Sequence, residues 1–255
     1  MAAPIPPRYQ EMIDHGYEFK IGDYINRGFE IFRKDPGPFI GYGAVVFFGM
    51  MILAFIPIVG ALALLVLVMP LIAGFYHYAN KVANDEPRTF RDFFAGFNQI
   101  GSLLGLMLLM ALVVGLGFIA LIIPGIYLGV AYGFALPLVA LGGMGAWDAM
   151  ELSRKIIHKN WWWFLLFSII VSVISSIGQV ALLIGVFVTM PIAYCVQYAA
   201  FEDIMGQPES HSAYQKIDEI GKETPAEPVA KEAPAKPAPA PEEEDPQDDI
   251  IDPLA

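Results

Sequence analysis

The sequence predicts an all-α membrane protein: six transmembrane helices arranged as three hairpins, with interfacial amphipathic helices and both termini in the cytoplasm. Three observations predict it: long charge-free windows, a turn signal near the middle of each, and a one-sided distribution of lysine and arginine. No acid, lysine or arginine occurs between Asp35 and Lys81, between Asp92 and Asp148, or between Lys159 and Glu202, windows of 45, 55 and 42 residues. A spanning helix takes ~20 apolar residues, and a charge at mid-bilayer costs ~2.5–3.5 kcal/mol even on the mild insertion scale. Each window is therefore long enough for two spans and too long for one. A soluble bundle would carry a polar stripe along every helix, and these windows carry none. A mean hydropathy of +0.54 places the whole chain well above soluble domains.

The elements follow in order. Residues 1–17 are polar and proline-rich, without the apolar stretch of a cleavable signal, and read as a flexible N-terminus. Ile21, Tyr24, Ile25, Phe29 and Phe32 then fall on one helical face, opposite Asp23, Arg27, Glu30 and Arg33. The first window is broken at Ile56-Pro57-Ile58-Val59-Gly60, which sets spans at about 38–55 and 59–80. Phe90, Phe93, Phe94 and Phe97 make a second amphipathic face, with Thr89 placed to cap its helix. Ile123-Pro124-Gly125 divides the second window into spans at 101–121 and 125–145. Ala149, Met150, Leu152, Ile156 and Ile157 form a third, looser face. Trp161, Trp162 and Trp163 follow Lys159-Asn160 directly and read as interfacial anchors. Ile177-Gly178-Gln179 then separates spans at 161–177 and 180–201. The three amphipathic stretches are expected in the headgroup region, anchoring the bundle or recruiting a partner.

A regular spacing ties the hairpins together. Pro57 precedes Pro70 by 13 residues, as Pro124 precedes Pro137 and Gly178 precedes Pro191, and the next charge comes 11 residues later at Lys81, Asp148 and Glu202. Three matched spacings suggest a triplicated unit. From turn to charge is 24 residues, or ~36 Å of helix against a hydrocarbon core of ~30 Å, so each hairpin is expected to cross fully. Segments 1–37, 81–100, 146–160 and the tail hold all 15 lysines and arginines, and the three turns hold none. By the positive-inside rule the basic side is cytoplasmic.

The net charge of −11 belongs mostly to the tail. Residues 206–255 carry 13 acids against 4 lysines and are rich in Pro and Ala, a composition that cannot offset the entropy of ordering. They read as a disordered acidic tail after a membrane domain at 18–205. Its end, Asp248 to Leu254, is either solvated chain or a docking motif for a cytoplasmic protein.

No constellation for chemistry emerges. His15, His77, His158 and His211 lie on four separate segments without a partner at ligand spacing, so neither a metal nor a cofactor is expected. Ser168, Ser172, Ser175 and Ser176 share a face without a base to activate them. Gly125, Gly129 and Gly133 repeat every four residues and are expected to form a groove for close helix packing, so that leucine at Gly129 costs more than leucine at Gly142. Pro70, Pro137 and Pro191 each free a carbonyl one turn earlier; they kink their helices, and at matched depth they could line a cavity for an amphiphile.

Taken in order, Ile21-Gly22-Asp23-Tyr24-Ile25, Gly28-Phe29-Glu30-Ile31-Phe32, Pro70 to Tyr76, Phe90 to Phe97, Pro124-Gly125-Ile126-Tyr127-Leu128, Ala149 to Lys155, Asn160-Trp161-Trp162 and Pro191-Ile192-Ala193 form a pattern. It resembles the membrane domain fused to some bacterial glycerophosphodiester phosphodiesterases, and its stand-alone relatives, over residues 18–206. The catalytic barrel of those enzymes has no counterpart here, so the resemblance implies a multi-pass protein of the bacterial inner membrane and no activity. The expected function is non-enzymatic: binding or organising membrane lipids or a protein partner from the cytoplasmic face, with no nucleic acid involved. The alternative is a carrier or flippase working through a cavity behind the kinked helices.

Overall fold

The computed structural model describes residues 7–180 and 185–206; the reading of the tail as disordered lies outside them. Every described element is helical: α1 Pro7–His15, α2 Ile21–Lys34, α3 Pro36–Ala54, α4 Val59–Ala83, a 3-10 segment Phe90–Gln99, α5 Ile100–Ala120, α6 Ile122–Ala131, α7 Ala135–Ala140, α8 Ala146–Lys159, α9 Trp161–Val180 and α10 Val186–Met205. Among them, 36–54, 59–83, 90–120 and 122–140 are long and apolar enough to cross a membrane, and α8 with α9, bent by 104°, would make a fifth such stretch. This is the build of a membrane protein.

Local chemistry sets the boundaries. Asp35 ends α2 and Pro36 opens α3 at a position where a missing N–H costs nothing. Ile58 turns the chain between α3 and α4 in the left-handed region, at φ 62°. The apolar run expected as one helix at 125–145 is interrupted at Tyr132–Phe134, between α6 and α7. Pro137 cannot bond to the Gly133 carbonyl one turn back, and Ser153 takes up the Phe134 N–H and the Ala131 carbonyl at the break. Pro70 and Pro191, by contrast, sit inside continuous helices.

α10 occupies the centre. It packs against α2, α3, α4 and α9, and Ile192, Cys195, Val196, Tyr198, Ala200 and Phe201 are all buried. A helix enclosed by protein on most sides needs no outward apolar stripe. Beside it lies an aromatic layer of Phe39, Tyr42, Phe75, Tyr78 and Phe93, each fully buried or nearly so. Phe93 stacks on Tyr78 at 4.0 Å between ring centroids and on Tyr42 at 4.2 Å.

The three amphipathic stretches turn their apolar faces to protein. α2 lies on α10, the 3-10 segment on α4, and α8 on α6 and α7. Each rests on the second helix of another sequence unit, and α2 closes the series on the last one. Small residues stand at the close contacts: Gly28 against Val196, Gly96 against the Pro70 carbonyl, and Ser153 against the backbone of α6 and the turn after it. Expecting these faces in the headgroup region overlooked the bundle itself as their partner. The stretch at 90–99 is also tighter than the α-helix its i, i+3, i+4, i+7 pattern suggests. Thr89 is its N-cap, and the Thr89 N–H donates to the Asp92 carboxylate at 2.6 Å.

The opposite pattern holds along α3 to α6 and α9, where large apolar side chains face outward. Phe55, Ile58, Ile119 and Ile123 are each 77% exposed or more. Apolar surface on this scale marks contact with a membrane or a partner.

Candidate functional site

The ends of α2, α4 and α10 carry a belt of polar contacts. Asp35 accepts from the Tyr78 hydroxyl at 2.6 Å and from Arg88 Nε at 2.9 Å, and the second contact holds the guanidinium pKa above its ordinary value. The Tyr198 hydroxyl donates to Asn80 Oδ1 at 2.7 Å, and Tyr24 donates to Asp203 at 3.0 Å. Lys34 pairs with Asp85 at 2.8 Å and Lys81 with Asp92 at 2.9 Å. These bonds fasten α2, the α4–3-10 connection and α10 into one rigid end. Each phenol's polar tip has a partner, which removes the cost of burying it.

At the α8–α9 bend lies a cavity of about 370 Å³, lined by Tyr127, His158, Lys159, Asn160 and the three tryptophans. Tyr127 reaches it from α6. Its hydroxyl meets His158 Nδ1 at 2.8 Å, and its carbonyl accepts from Trp161 Nε1 at 3.3 Å. Asn160 donates through Nδ2 to the Tyr17 carbonyl at 2.7 Å, which ties the N-terminal segment to the bend. Trp161 is partly covered, whereas Trp162 and Trp163 are exposed. On the far side of Lys159 and Asn160 a second cavity, of about 540 Å³, is bordered by Asp14, His15 and Glu18.

The residues singled out from sequence fall as follows. The tryptophans gather at the bend as a set. Pro70, Pro137 and Pro191 are all buried. The Pro70 carbonyl lies against Gly96, and Pro191 Cγ is 3.7 Å from where a Cβ on Gly43 would stand. The glycine series does not run as one groove. A Cβ on Gly125 would collide with the Phe118 ring, one on Gly129 would meet nothing within 4 Å, and Gly133 lies beyond the end of α6 in the turn, near Val130 and Ile157. The four-residue spacing assumes a helix that is interrupted at Tyr132–Phe134. Gly142, taken as the milder position, is the tighter one: a Cβ there would stand 2.7 Å from the Leu138 carbonyl oxygen.

Sequence reasoning did not join Tyr127 to His158 and Trp161, because no spacing rule brings positions 31 apart onto one contact. It also passed over Ser153, which accepts from the Phe134 N–H at 3.1 Å and donates to the Ala131 carbonyl at 2.8 Å. A serine within an apolar helical face was the signal. Comparison of the chain with protein-family models, with curated proteins and with solved structures finds no match, so the reading of function rests on these residues.

Proposed function

We propose that the chain is a six-span protein of the bacterial inner membrane, three hairpins with both ends in the cytoplasm, that binds and organises membrane lipids or a protein partner from the cytoplasmic face without catalysing a reaction. In this reading it is a stand-alone relative of the phosphodiesterase-fused membrane domain. The outward apolar side chains of α3 to α6 and α9 meet acyl chains. α10, enclosed by α2, α3, α4 and α9, crosses at the centre, where Gln197 Oε1 accepts from the Tyr76 hydroxyl at 2.6 Å.

One observation carries the choice of an organiser over a carrier: the surroundings of Pro70 and Pro191 are filled. Backbone or ring atoms of α3, α4, the 3-10 segment and α10 meet where Gly43, Gly74 and Gly96 allow close approach, and Phe75 stacks on Tyr194 at 4.8 Å. A carrier needs a polar-lined path open to one side at that depth. The test is mass spectrometry of lipids and proteins co-purifying with the chain, alongside a translocation assay with a labelled phospholipid in vesicles. Retained lipid or partner without translocation is the expected result; protein-dependent translocation would overturn it. For topology, Ile58→Cys is expected to react with an impermeant reagent from the periplasmic side and Glu151→Cys to be protected. Outside labelling of Glu151→Cys would overturn the orientation.

A further inference from the structure

We propose that the cavity at the α8–α9 bend holds the headgroup of an anionic phospholipid, with its phosphate at Lys159 and an acyl chain along the exposed face of α9. The inference rests on the lipid-binding reading above and gives it a place and a lipid class.

The charge lining the cavity is cationic: Lys159 borders it and no carboxylate does. The neighbouring cations of α8 share one carboxylate, since Arg154 and Lys155 both pair with Glu151, at 2.8 and 3.3 Å. Among the side chains the structure describes, which leave out Glu11, Lys159 has no carboxylate within 4 Å; Asp14 and Glu18 border the adjoining cavity and stay beyond that reach. An ammonium at the membrane surface without a counter-charge is where an anionic headgroup is attracted.

The other polar groups narrow what the cavity offers. Asn160 Nδ2 and Trp161 Nε1 are committed to backbone carbonyls. The Tyr127 hydroxyl and His158 Nδ1 share a hydrogen bond, and in the tautomer whose Nδ1 accepts it the ring proton sits on Nε2, a second donor for an anion. A lysine and an imidazole N–H suit a phosphodiester oxygen pair. They leave a choline ammonium with no acidic partner in the cavity.

The apolar side selects a lipid over a soluble phosphate. Trp162, Leu166, Ile169 and Val173 follow one another at steps of four, three and four residues, so they form a single stripe along α9, and all four are exposed. Trp162 and Trp163 are 76% and 54% exposed at the head of that stripe, where an indole spans the boundary between headgroup and acyl chain. A free phosphate ester would use none of this surface.

The test uses the full chain purified in dodecyl maltoside and titrated with dioctanoyl phosphatidylglycerol, the bound lipid counted by native mass spectrometry. Lys159→Gln is expected to weaken binding about tenfold, the scale of one charged hydrogen bond. Lys155→Gln, which removes the same charge outside the cavity, is expected to leave it unchanged. Dioctanoyl phosphatidylcholine is expected to bind at least about tenfold more weakly, and inorganic phosphate not to compete. Trp162→Ala, with the lysine intact, is expected to weaken phosphatidylglycerol binding as well. Equal losses in Lys159→Gln and Lys155→Gln would reduce the effect to general surface charge and overturn the site, as would competition by phosphate. Unchanged binding in Lys159→Gln overturns the site while the lipid-binding reading stands. Failure of the wild-type chain to retain any lipid overturns both.

Discussion

Gly28 of α2 lies against the backbone of Val196 in α10, so close that a Cβ on it would stand 2.5 Å from the Val196 Cα. The contact joins the first amphipathic helix to the last described one, and it is made of main chain on one side, which cannot rotate away. Gly28→Ala is therefore expected to push the two helices apart and to cost about 1–3 kcal/mol, the usual scale of overpacking. Gly22→Ala, on the same helix with nothing within 4 Å, is expected to show no loss. Thermal unfolding of both variants in one detergent makes the comparison, and equal melting temperatures would refute the close approach.

Ser153 holds together the break between α6 and α7. Replacing it with alanine removes the acceptor of the Phe134 N–H and the donor to the Ala131 carbonyl, both buried. Leaving such groups unpaired costs about 1–3 kcal/mol. Ser172→Ala, where an exposed hydroxyl only bonds back to the Ser168 carbonyl, is expected to be nearly neutral. A neutral Ser153→Ala in chemical or thermal denaturation would mean that the break holds without it.

Two glycines of α6 and one in the turn after α7 make a graded set. Gly125→Leu is expected to displace Phe118 and destabilise clearly, whereas Gly129→Leu meets open space and is expected to cost little. Gly142→Leu is expected to lie on the damaging side because of the Leu138 carbonyl. The order of the three melting temperatures is the measurement. A large loss at Gly129 would place another helix, or a second copy of the chain, on that face.

Acid sensitivity at one exposed pair has a definite sign. Lys34 donates to both Asp85 oxygens, at 2.8 and 3.0 Å, and holds the carboxyl below its ordinary value of 3.8. A lowered folded-state pKa means that the pair's stabilisation is complete above the ordinary value and is lost as pH falls through the lower one. Asp85→Asn is expected to lower the melting temperature slightly at neutral pH and to converge with wild type in acid. Added salt should shrink the difference, since Asp85 is largely exposed. A gap that widens as pH falls would contradict the assignment.

The charge-free windows announced the long helices, because apolar length and turn residues act locally: Pro36, Pro57-Ile58 and Asp35 mark boundaries within a residue or two of where the chain turns. Faces were legible too, as Phe93 and Ile156 point inward as their spacing requires. What covers a face was not legible, since periodicity states that a stripe must be buried and is silent on the partner. Hence α2, the 3-10 segment and α8 read as surface helices although each rests on the bundle. The break at Tyr132–Phe134 was hidden for a different reason. A proline inside a span is tolerated at Pro70 and Pro191, and nothing in the neighbouring letters says that the helix expected around Pro137 will be split. The bend cavity joins residues from α6, α8 and α9, a tertiary accident of packing that one sequence does not spell out.

The placing of α2 on α10 bears on how the protein is made. The Tyr24 hydroxyl bonds to Asp203 across 179 positions of chain. The first amphipathic arm leaves the ribosome long before its seat exists, and at synthesis rates of ~5–20 residues per second the wait is on the order of ten seconds or more. During that interval its face of Tyr24, Ile31 and Phe32 has only the lipid surface or a chaperone to cover it. Unlike the 3-10 segment and α8, which emerge after the helices that receive them, α2 is a clasp that shuts only once α10 has been made. A nascent chain stalled before α10 would therefore carry that arm open, as an early marker of incomplete assembly.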